Sequence, residues 1–298
     1  MTIYKQLTFS AVLLCQALLI GCSQRTEYSA NLPKEVNETS GLVCRNNAHF
    51  LTVNDSGNGA IVWELNNQGQ LARKLATSQP NLDWEAITSS QTSLFIADTG
   101  NNSGRRHGGQ IYQYSLTDLP KVTFQRTIEY QFANYPEKPL IPYRHDFDIE
   151  AVAVNQSQLI MFSKSWSGGP TQVYRLMTTA DEVQIIKPIA ELPALPGVVT
   201  DATWSESQHV YLLTGYANFQ QSLISVLLSG HWSPFIAVIS DDFQLLAMQS
   251  IPDAGQLEAI CLDEDNYIWL SQEQYKNSAA RLWRFGSVDS LLKSKENR

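Results

Sequence analysis

Asp83-Trp84-Glu85-Ala86-Ile87 recurs down the chain as Asp148-Ile149-Glu150-Ala151-Val152 and Leu257-Glu258-Ala259-Ile260. Looser copies are Thr200-Asp201-Ala202-Thr203-Trp204 and Glu38-Thr39-Ser40-Gly41-Leu42. Taking Ser40, Glu85, Glu150, Asp201 and Glu258 as equivalent points gives spacings of 45, 65, 51 and 57 residues. A period in that range belongs to a propeller or a solenoid, in which each repeat is one supersecondary unit that buries its faces only against its neighbours.

The segments after each copy repeat as well. Phe50-Leu51-Thr52-Val53-Asn54-Asp55, Leu94-Phe95-Ile96-Ala97-Asp98, Leu159-Ile160-Met161-Phe162-Ser163, Val210-Tyr211-Leu212-Leu213-Thr214 and Tyr267-Ile268-Trp269-Leu270-Ser271 read as second strands. They are rich in β-branched and aromatic residues and bounded by turn formers. Third strands follow at Ala60-Ile61-Val62-Trp63-Glu64-Leu65, Gln110-Ile111-Tyr112-Gln113-Tyr114, Gln172-Val173-Tyr174-Arg175-Leu176 and Arg281-Leu282-Trp283-Arg284-Phe285, and Thr127-Ile128-Glu129-Tyr130-Gln131-Phe132 is a fourth. The pattern predicts an all-β fold, a single β-propeller domain over residues 37 to 290 with five four-stranded blades, whose radial closure leaves few exposed edges. The last unit lacks a clear fourth strand, and residues 27 to 36 are placed to supply it and close the ring. An extra apolar run in residues 221 to 230 leaves room for a sixth blade.

The N-terminus reads as an address. Lys5 precedes an apolar stretch over residues 7 to 20 that is shorter than the roughly 20 residues a membrane-spanning helix needs, and it has the layout of a secretory signal. Its ending, Leu19-Ile20-Gly21-Cys22, resembles the lipobox of bacterial lipoproteins, which implies a signal peptide over residues 1 to 21 and lipid (palmitate) attachment at Cys22. Ser23 follows in place of the Asp that marks inner-membrane retention, so the expected location is the cell envelope, anchored in the outer membrane and facing the periplasm. Residues 22 to 36 then form a tether and 291 to 298 a polar tail. Loss of residues 1 to 21 removes one positive charge, Lys5, and takes the formal net charge from −8 to −9. Such an acidic chain is a poor nucleic-acid binder, since phosphate neutralisation demands extensive basic clusters, and no nucleic-acid partner is expected. In the folded body two cysteines are left, Cys44 and Cys261, at the ends of first strands in units that a closed ring makes neighbours. An oxidising periplasm allows a disulfide there. Divergence of adjacent inner strands and the narrow geometry of the bond argue instead for two buried free thiols.

Propeller geometry turns the repeat into a site. First strands line the central channel, so Glu85, Glu150, Asp201 and Glu258 are expected to ring one mouth, while Asp55, Asp98 and Glu273 close second strands at the same face. So many carboxylates repel one another unless protonated or neutralised, and the fitting neutraliser is a hard cation with oxygen ligands, calcium. Each element also has a plain structural reading: glutamates that bond neighbouring amides, and Asp/Asn-Gly turns. A basic group sits nearby in sequence. Arg105, Arg106 and Lys164 are candidates to bind an anionic ligand bridged to the cation, or surface charges that neutralise carboxylates. The Pro-rich excursion over residues 134 to 143 has the length of a lid or binding loop. Neither Gly-x-Ser-x-Gly nor a phosphate-binding Gly-x-x-x-x-Gly-Lys, His-Glu-x-x-His or Cys-x-x-Cys is present. His145, five residues before Glu150, is the one histidine placed to serve as general acid or base, with Glu150 as the other catalytic candidate.

Taken in order, Glu38-Thr39-Ser40-Gly41-Leu42, Asn54-Asp55-Ser56-Gly57, Asp83-Trp84-Glu85-Ala86-Ile87 and Asp98-Thr99-Gly100-Asn101-Asn102 resemble the pattern of the SdiA-regulated and phytase-like (esterase-like) propellers. The resemblance covers residues 38 to about 114 and is weaker beyond. It implies a calcium-binding envelope propeller, the metal role falling on Glu85, Asp98, Glu150, Asp201 and Glu258. Two functions stand side by side: a lipid-anchored binding or scaffold protein for an anionic small molecule, a glycan or an envelope protein, and a metal-dependent hydrolase of a phosphate ester, ester or lactone.

Overall fold

Every acidic repeat opens an antiparallel sheet whose first strand faces its counterparts in the other repeats. The structure is a computed structural model that describes residues 28–46, 49–117, 119–217 and 233–296. After a lone strand β1 (Tyr28–Asn31), blade one holds β2 (Thr39–Arg45), β3 (His49–Asn54), β4 (Ile61–Leu65) and β5 (Leu71–Ala76). Blade two holds β6 (Trp84–Ser89), β7 (Ser93–Asp98), β8 (Gly108–Ser115) and β9 (Thr123–Phe132), and blade three β10 (Ile149–Asn155), β11 (Gln158–Ser163) and β12 (Gln172–Met177). The next two strands are β13 (Gln184–Ile186) and β14 (Ala190–Glu191). Blade four is β15 (Gly197–Ser205), β16 (Val210–Ala217), β17 (Pro234–Ser240) and β18 (Leu245–Ser250), and blade five β19 (Leu257–Leu262), β20 (Tyr267–Gln272) and β21 (Arg281–Ser287). The fold is a five-bladed β-propeller; its second strands, and the third strands of blades one, two, three and five, lie where the sequence puts them, while β17, the third strand of blade four, is not among the strands expected from the repeat.

Packing follows from position in the blade. All six residues of β7 are buried, because an interior strand is covered on both faces by neighbouring blades, whereas five of the six residues of β5 at the outer edge are exposed and only Leu75 turns inward. Arg73 and Lys74 on that edge discourage pairing with another chain. The core is divided into five clusters, each lying between one pair of adjacent blades: Val43, Val62, Trp84 and Ile96 between one and two, or Leu212, Ile236, Leu257 and Leu270 between four and five. Full burial of each such side chain contributes about 1.5–3 kcal/mol, so blade-to-blade contact is where the stability resides.

Ring closure has two devices. β1 pairs antiparallel with β21, Tyr28 opposite Arg284 through Asn31 opposite Arg281, and so supplies the fourth strand of blade five. The second is covalent, and corrects the expectation of free thiols: Cys44 and Cys261 form a disulfide with their Cα atoms 5.5 Å apart. At that rung β2 and β19 pack side by side, so the expected divergence of adjacent inner strands has not yet set in.

Blades two and three depart from the four-strand plan. β13 leaves its own blade and pairs in parallel with β9, giving blade two a fifth strand, and β14 covers blade three only at Gln172 and Val173. The Gln184 side chain stands in for the missing partner, accepting from Met177 N at 2.8 Å and donating to Met177 O at 3.1 Å. The chain's last segment is a helix, α1 (Val288–Glu296), and Val288 and Leu291 are buried against blades four and five; the polar tail thus begins inside a packed element. No helix among the described residues is long and apolar enough to cross a membrane. The signal segment, Cys22 and the apolar run at 221 to 230 lie outside the described residues.

Candidate functional site: an acidic channel mouth

All five inner strands carry a β-bulge near their start, and the bulged residues are Gly41, Glu85, Glu150, Thr200 and Glu258. Gly41 and Thr200 stand one residue away from Ser40 and Asp201, the equivalent points of the repeat in blades one and four. A bulge inserts one residue and re-aims its side chain, after which the period-two alternation resumes, so a one-residue offset moves a group to a different environment. Glu85, Glu150 and Glu258 hold the bulge positions. Asp201 does not: it stands one step past the bulge, where Ile260 N donates to its Oδ2 at 2.8 Å, and it ties blade four to blade five. Its place in the bulge belongs to Thr200, which donates to Leu257 O at 2.7 Å. Asp201 thus serves as an interblade lock through Oδ2, the hydrogen-bonding role that the sequence also allowed, while its Oδ1 is buried with no hydrogen-bond partner among the described residues.

Asp55, Asp83 and Glu85 converge, each offering a carboxylate oxygen within 4.8 Å of the others. Asn81 sets this up: its amide donates to Asn54 O at 3.1 Å and Asp55 O at 3.0 Å, while its carbonyl accepts from Trp84 N at 3.1 Å, which pins the blade-one turn to the start of β6. Gly100 gives the trio room. A Cβ at this position would lie 2.2 Å from Glu85 Oε1 and 2.6 Å from Asp83 Oδ2, so the Asp98-Thr99-Gly100 turn admits the carboxylates only because residue 100 has no side chain. Glu85 is buried, and its Oε1 has no hydrogen-bond partner among the described residues. Asp83 belongs to the repeated segment but is not among the ligands expected from the sequence. The signal that finds it is the Gly100 turn, which closes over both Asp83 and Glu85.

Among the described residues, the centre of the mouth holds one buried ammonium. Lys164 Nζ donates to Glu150 Oε2 at 2.9 Å and lies 4.9 Å from the Trp166 ring centroid. Burial disfavours its charged form, but Glu150, Tyr216, Glu258 and Glu85 around it hold its pKa well above the ordinary lysine value. The carboxylates are pushed the other way. Burial, with Asp55 and Glu150 next in effect, raises Asp83 to about 6, and burial raises Glu150 and Glu258 to about 7 against the opposing pull of Lys164. Glu85, through burial and then Glu150, and Glu273, through burial and then Glu258, are raised well above the usual range. Lys164 thus does not bring these carboxylates back to their ordinary range.

The other candidates are placed elsewhere. Asp98 is fully buried inside blade two, where Arg106 Nη1 donates to it at 2.8 Å and Tyr112 OH at 3.2 Å, so the two are each other's partners rather than a metal ligand and a free anion receptor. Arg106 also donates to Gly100 O and Asp98 O, and its structural role is to brace the turn under the trio. Arg105 is exposed, with no ion pair among the described residues. His145 is buried beneath Gly104, at 2.9 Å from where a Cβ there would stand, and burial lowers its pKa; as a general base facing the mouth it is misplaced. The 134 to 143 excursion is pinned in place: Tyr135 stacks on His107 at 4.3 Å and donates to Gly104 O at 2.6 Å, and Tyr143 meets Trp166 edge-on at 5.2 Å. Trp166 in turn donates to Asp148 Oδ2 at 2.6 Å, and Asn101 N to Asp148 Oδ1 at 2.5 Å.

No family model matches the chain, and no curated protein matches it in sequence. Solved structures do. A hypothetical protein from Leishmania major is similar at 14% identity over 88% of this chain and 91% of that one, with a TM-score of 0.50. A hydrazine synthase from Kuenenia stuttgartiensis is similar at 9% identity, covering 85% of this chain and 60% of that one, with a TM-score of 0.42. The β-propeller domain of Cps50 (Swd1) from Myceliophteria thermophila is similar at 11% identity, covering 82% and 65%, with a TM-score of 0.39. The chain thus spans less than two thirds of the length of the last two, and likenesses at this identity speak to the fold alone. The β-propeller itself rests on the strand order and sheet topology described above.

Proposed function

We propose that this propeller is a calcium-dependent binding protein of the cell envelope, held to the outer membrane through a lipid on Cys22 and presenting its acidic mouth to an anionic ligand. The observation that carries the reading is the Asp55, Asp83 and Glu85 trio, with oxygens within 4.8 Å of one another and a buried Glu85 oxygen that has no hydrogen-bond partner among the described residues. Oxygen donors, carboxylate-rich and crowded beyond what Lys164 neutralises, suit a hard cation of calcium's size. These three residues would hold it, and Glu150 and Glu258 would add to the negative field behind it. Bound calcium supplies positive charge at which an anionic oxygen is retained, and Arg105, exposed on the loop that follows Gly100, is available to add a second contact. This fits what the resemblance to SdiA-regulated and phytase-like propellers implies.

Binding is preferred over hydrolysis because the groups that turnover would call on are committed: Lys164 to Glu150, Arg106 to Asp98, and His145 behind Gly104. Calorimetric titration with calcium chloride, before and after chelation, tests the site; saturable binding that Glu85→Gln removes is expected, and no heat at millimolar calcium refutes it. Calcium-dependent release of product from generic phosphate esters, esters or lactones would transfer the preference to hydrolysis. For the anchor, palmitate labelling of the wild type that persists in Cys22→Ser would overturn the lipidation.

A further inference from the structure

The channel has a second mouth, at the far ends of the inner strands, and its chemistry is different. Counting four residues on from each bulge gives Arg45, Ser89, Val154, Trp204 and Leu262, one from each blade and all half-buried. The first four line a funnel of about 850 Å³ together with Gln91, Gln156, Glu206 and Glu264, and the Cys44 end of the disulfide. Five equivalent positions here carry five different side chains, whereas the equivalent bulge positions at the acidic mouth repeat glutamate three times. Symmetry of the fold does not explain an indole and a guanidinium in one rung.

Trp204 is held in a fixed pose. Its Nε1 donates to Glu206 Oε2 at 2.7 Å, and its ring packs against Tyr211 at 4.5 Å between centroids; Tyr211 is itself stacked on Phe243 at 5.9 Å and accepts from Asn155 Nδ2 at 2.8 Å. Facing the same space, the side chains of Arg45, Ser89, Gln91, Gln156 and Glu264 make no hydrogen bond or ion pair among the described residues. The funnel therefore combines one immobilised aromatic ring with convergent, unused donors and acceptors, and its one cation is set against two carboxylates.

We propose that this second mouth binds a neutral saccharide. A sugar ring has an apolar face of C–H groups that packs on an indole and a rim of hydroxyls, each both donor and acceptor. Planar amide, guanidinium and carboxylate groups meet adjacent hydroxyls in pairs. A ligand with strong charge of either sign gains little here, since Arg45 opposes Glu206 and Glu264, and a purely apolar ligand would strand the polar lining without partners. The volume accommodates an oligosaccharide of a few units. Pre-fixing Trp204 through Glu206 and Tyr211 lowers the ordering cost on binding.

The test is a titration of the protein with maltotriose, cellotriose and triacetylchitotriose, followed by tryptophan emission and by calorimetry. One of the three is expected to bind saturably with a change in emission. Trp204→Ala should weaken it about tenfold or more, roughly 1.4 kcal/mol per factor of ten, and Gln156→Ala and Arg45→Ala severalfold. Glu85→Gln, at the other mouth, should leave it unchanged. Because Trp204 also packs on Tyr211, melting curves accompany that variant, and the Gln156 and Arg45 variants, at an exposed and a half-buried position, carry the test if it unfolds. Absence of saturable binding by all three sugars overturns the proposal. So does binding that survives both Gln156→Ala and Arg45→Ala at full strength, or binding that Glu85→Gln abolishes.

Discussion

Replacing Lys164 with Met removes the only cation at the centre of the acidic mouth among the described residues while keeping most of the side-chain volume. The Lys164 and Glu150 side chains are 8% and 3% exposed, so the 2.9 Å pair is shielded from solvent. Removing one partner of such a pair leaves an uncompensated buried charge and costs about 3–5 kcal/mol. For a chain of this size about 1 kcal/mol corresponds to about 2 °C in Tm, so the expected fall is about 6–10 °C in chelator at pH 8. The loss should depend on pH. Glu150 already has its pKa raised to about 7 with Lys164 present; without the ammonium it rises further, so at pH 8 the fold must strand the charge or take up a proton against the solution pH, whereas at pH 5.5 the carboxyl is protonated at little cost and carries no charge to strand. Calcium should also protect the variant more than the wild type, since it meets a mouth with one positive charge fewer. Differential scanning fluorimetry at pH 5.5 and 8, with calcium or chelator, reads all four states. A Tm loss equal at both pH values and indifferent to calcium would refute the electrostatic account and leave Lys164 as packing against Trp166 and Tyr216.

Further outcomes follow from the same geometry. In chelator, wild-type stability should fall as pH rises from about 4.5 through 7: the folded pKa values of Asp83, Glu150 and Glu258 lie above their unfolded ones, so the folded state binds more protons in that window and loses that advantage above it. Calcium, which competes with those protons, should flatten the slope, and thermal melts across pH decide it. Asp98→Asn should lower Tm by loosening the Arg106 brace yet leave a calcium response, whereas Glu85→Gln should remove the response, worth about 2.7 kcal/mol at a hundredfold excess over Kd, with little harm to the fold. Calorimetry on the two variants separates brace from ligand. Cys44→Ser should destabilise by about 4–5 kcal/mol, because the disulfide closes a loop with a sequence separation of 217; equal melting of oxidised and reduced protein would show that β1 alone suffices to close the ring.

What the sequence determined by itself is whatever repeats. Alternating β-branched and aromatic runs behind each acidic copy give the strands, their recurrence gives five blades, and the lack of a fourth strand after Arg281-Leu282-Trp283-Arg284-Phe285 points to the N-terminal segment that β1 supplies. These are local periodicities, and covering both faces of a blade leaves them little alternative. The disagreements are all matters of register and partner choice. One bulge separates Thr200 from Asp201, and that single step sends a carboxylate to Ile260 N instead of the mouth. Asp98 and Arg106 are eight residues apart in the chain; only the hairpin between β7 and β8 makes them neutralise one another. Cys44 and Cys261 meet because the ring closes at a rung where two inner strands still run close. Asp55 and Asp83 join Glu85 through Asn81 and the bare backbone of Gly100, a convergence of three loops in which each sequence reads as an ordinary turn. Composition and period are written residue by residue, whereas charge neutralisation depends on distances of a few ångströms between segments far apart in the chain, and those distances are set only when the blades have packed.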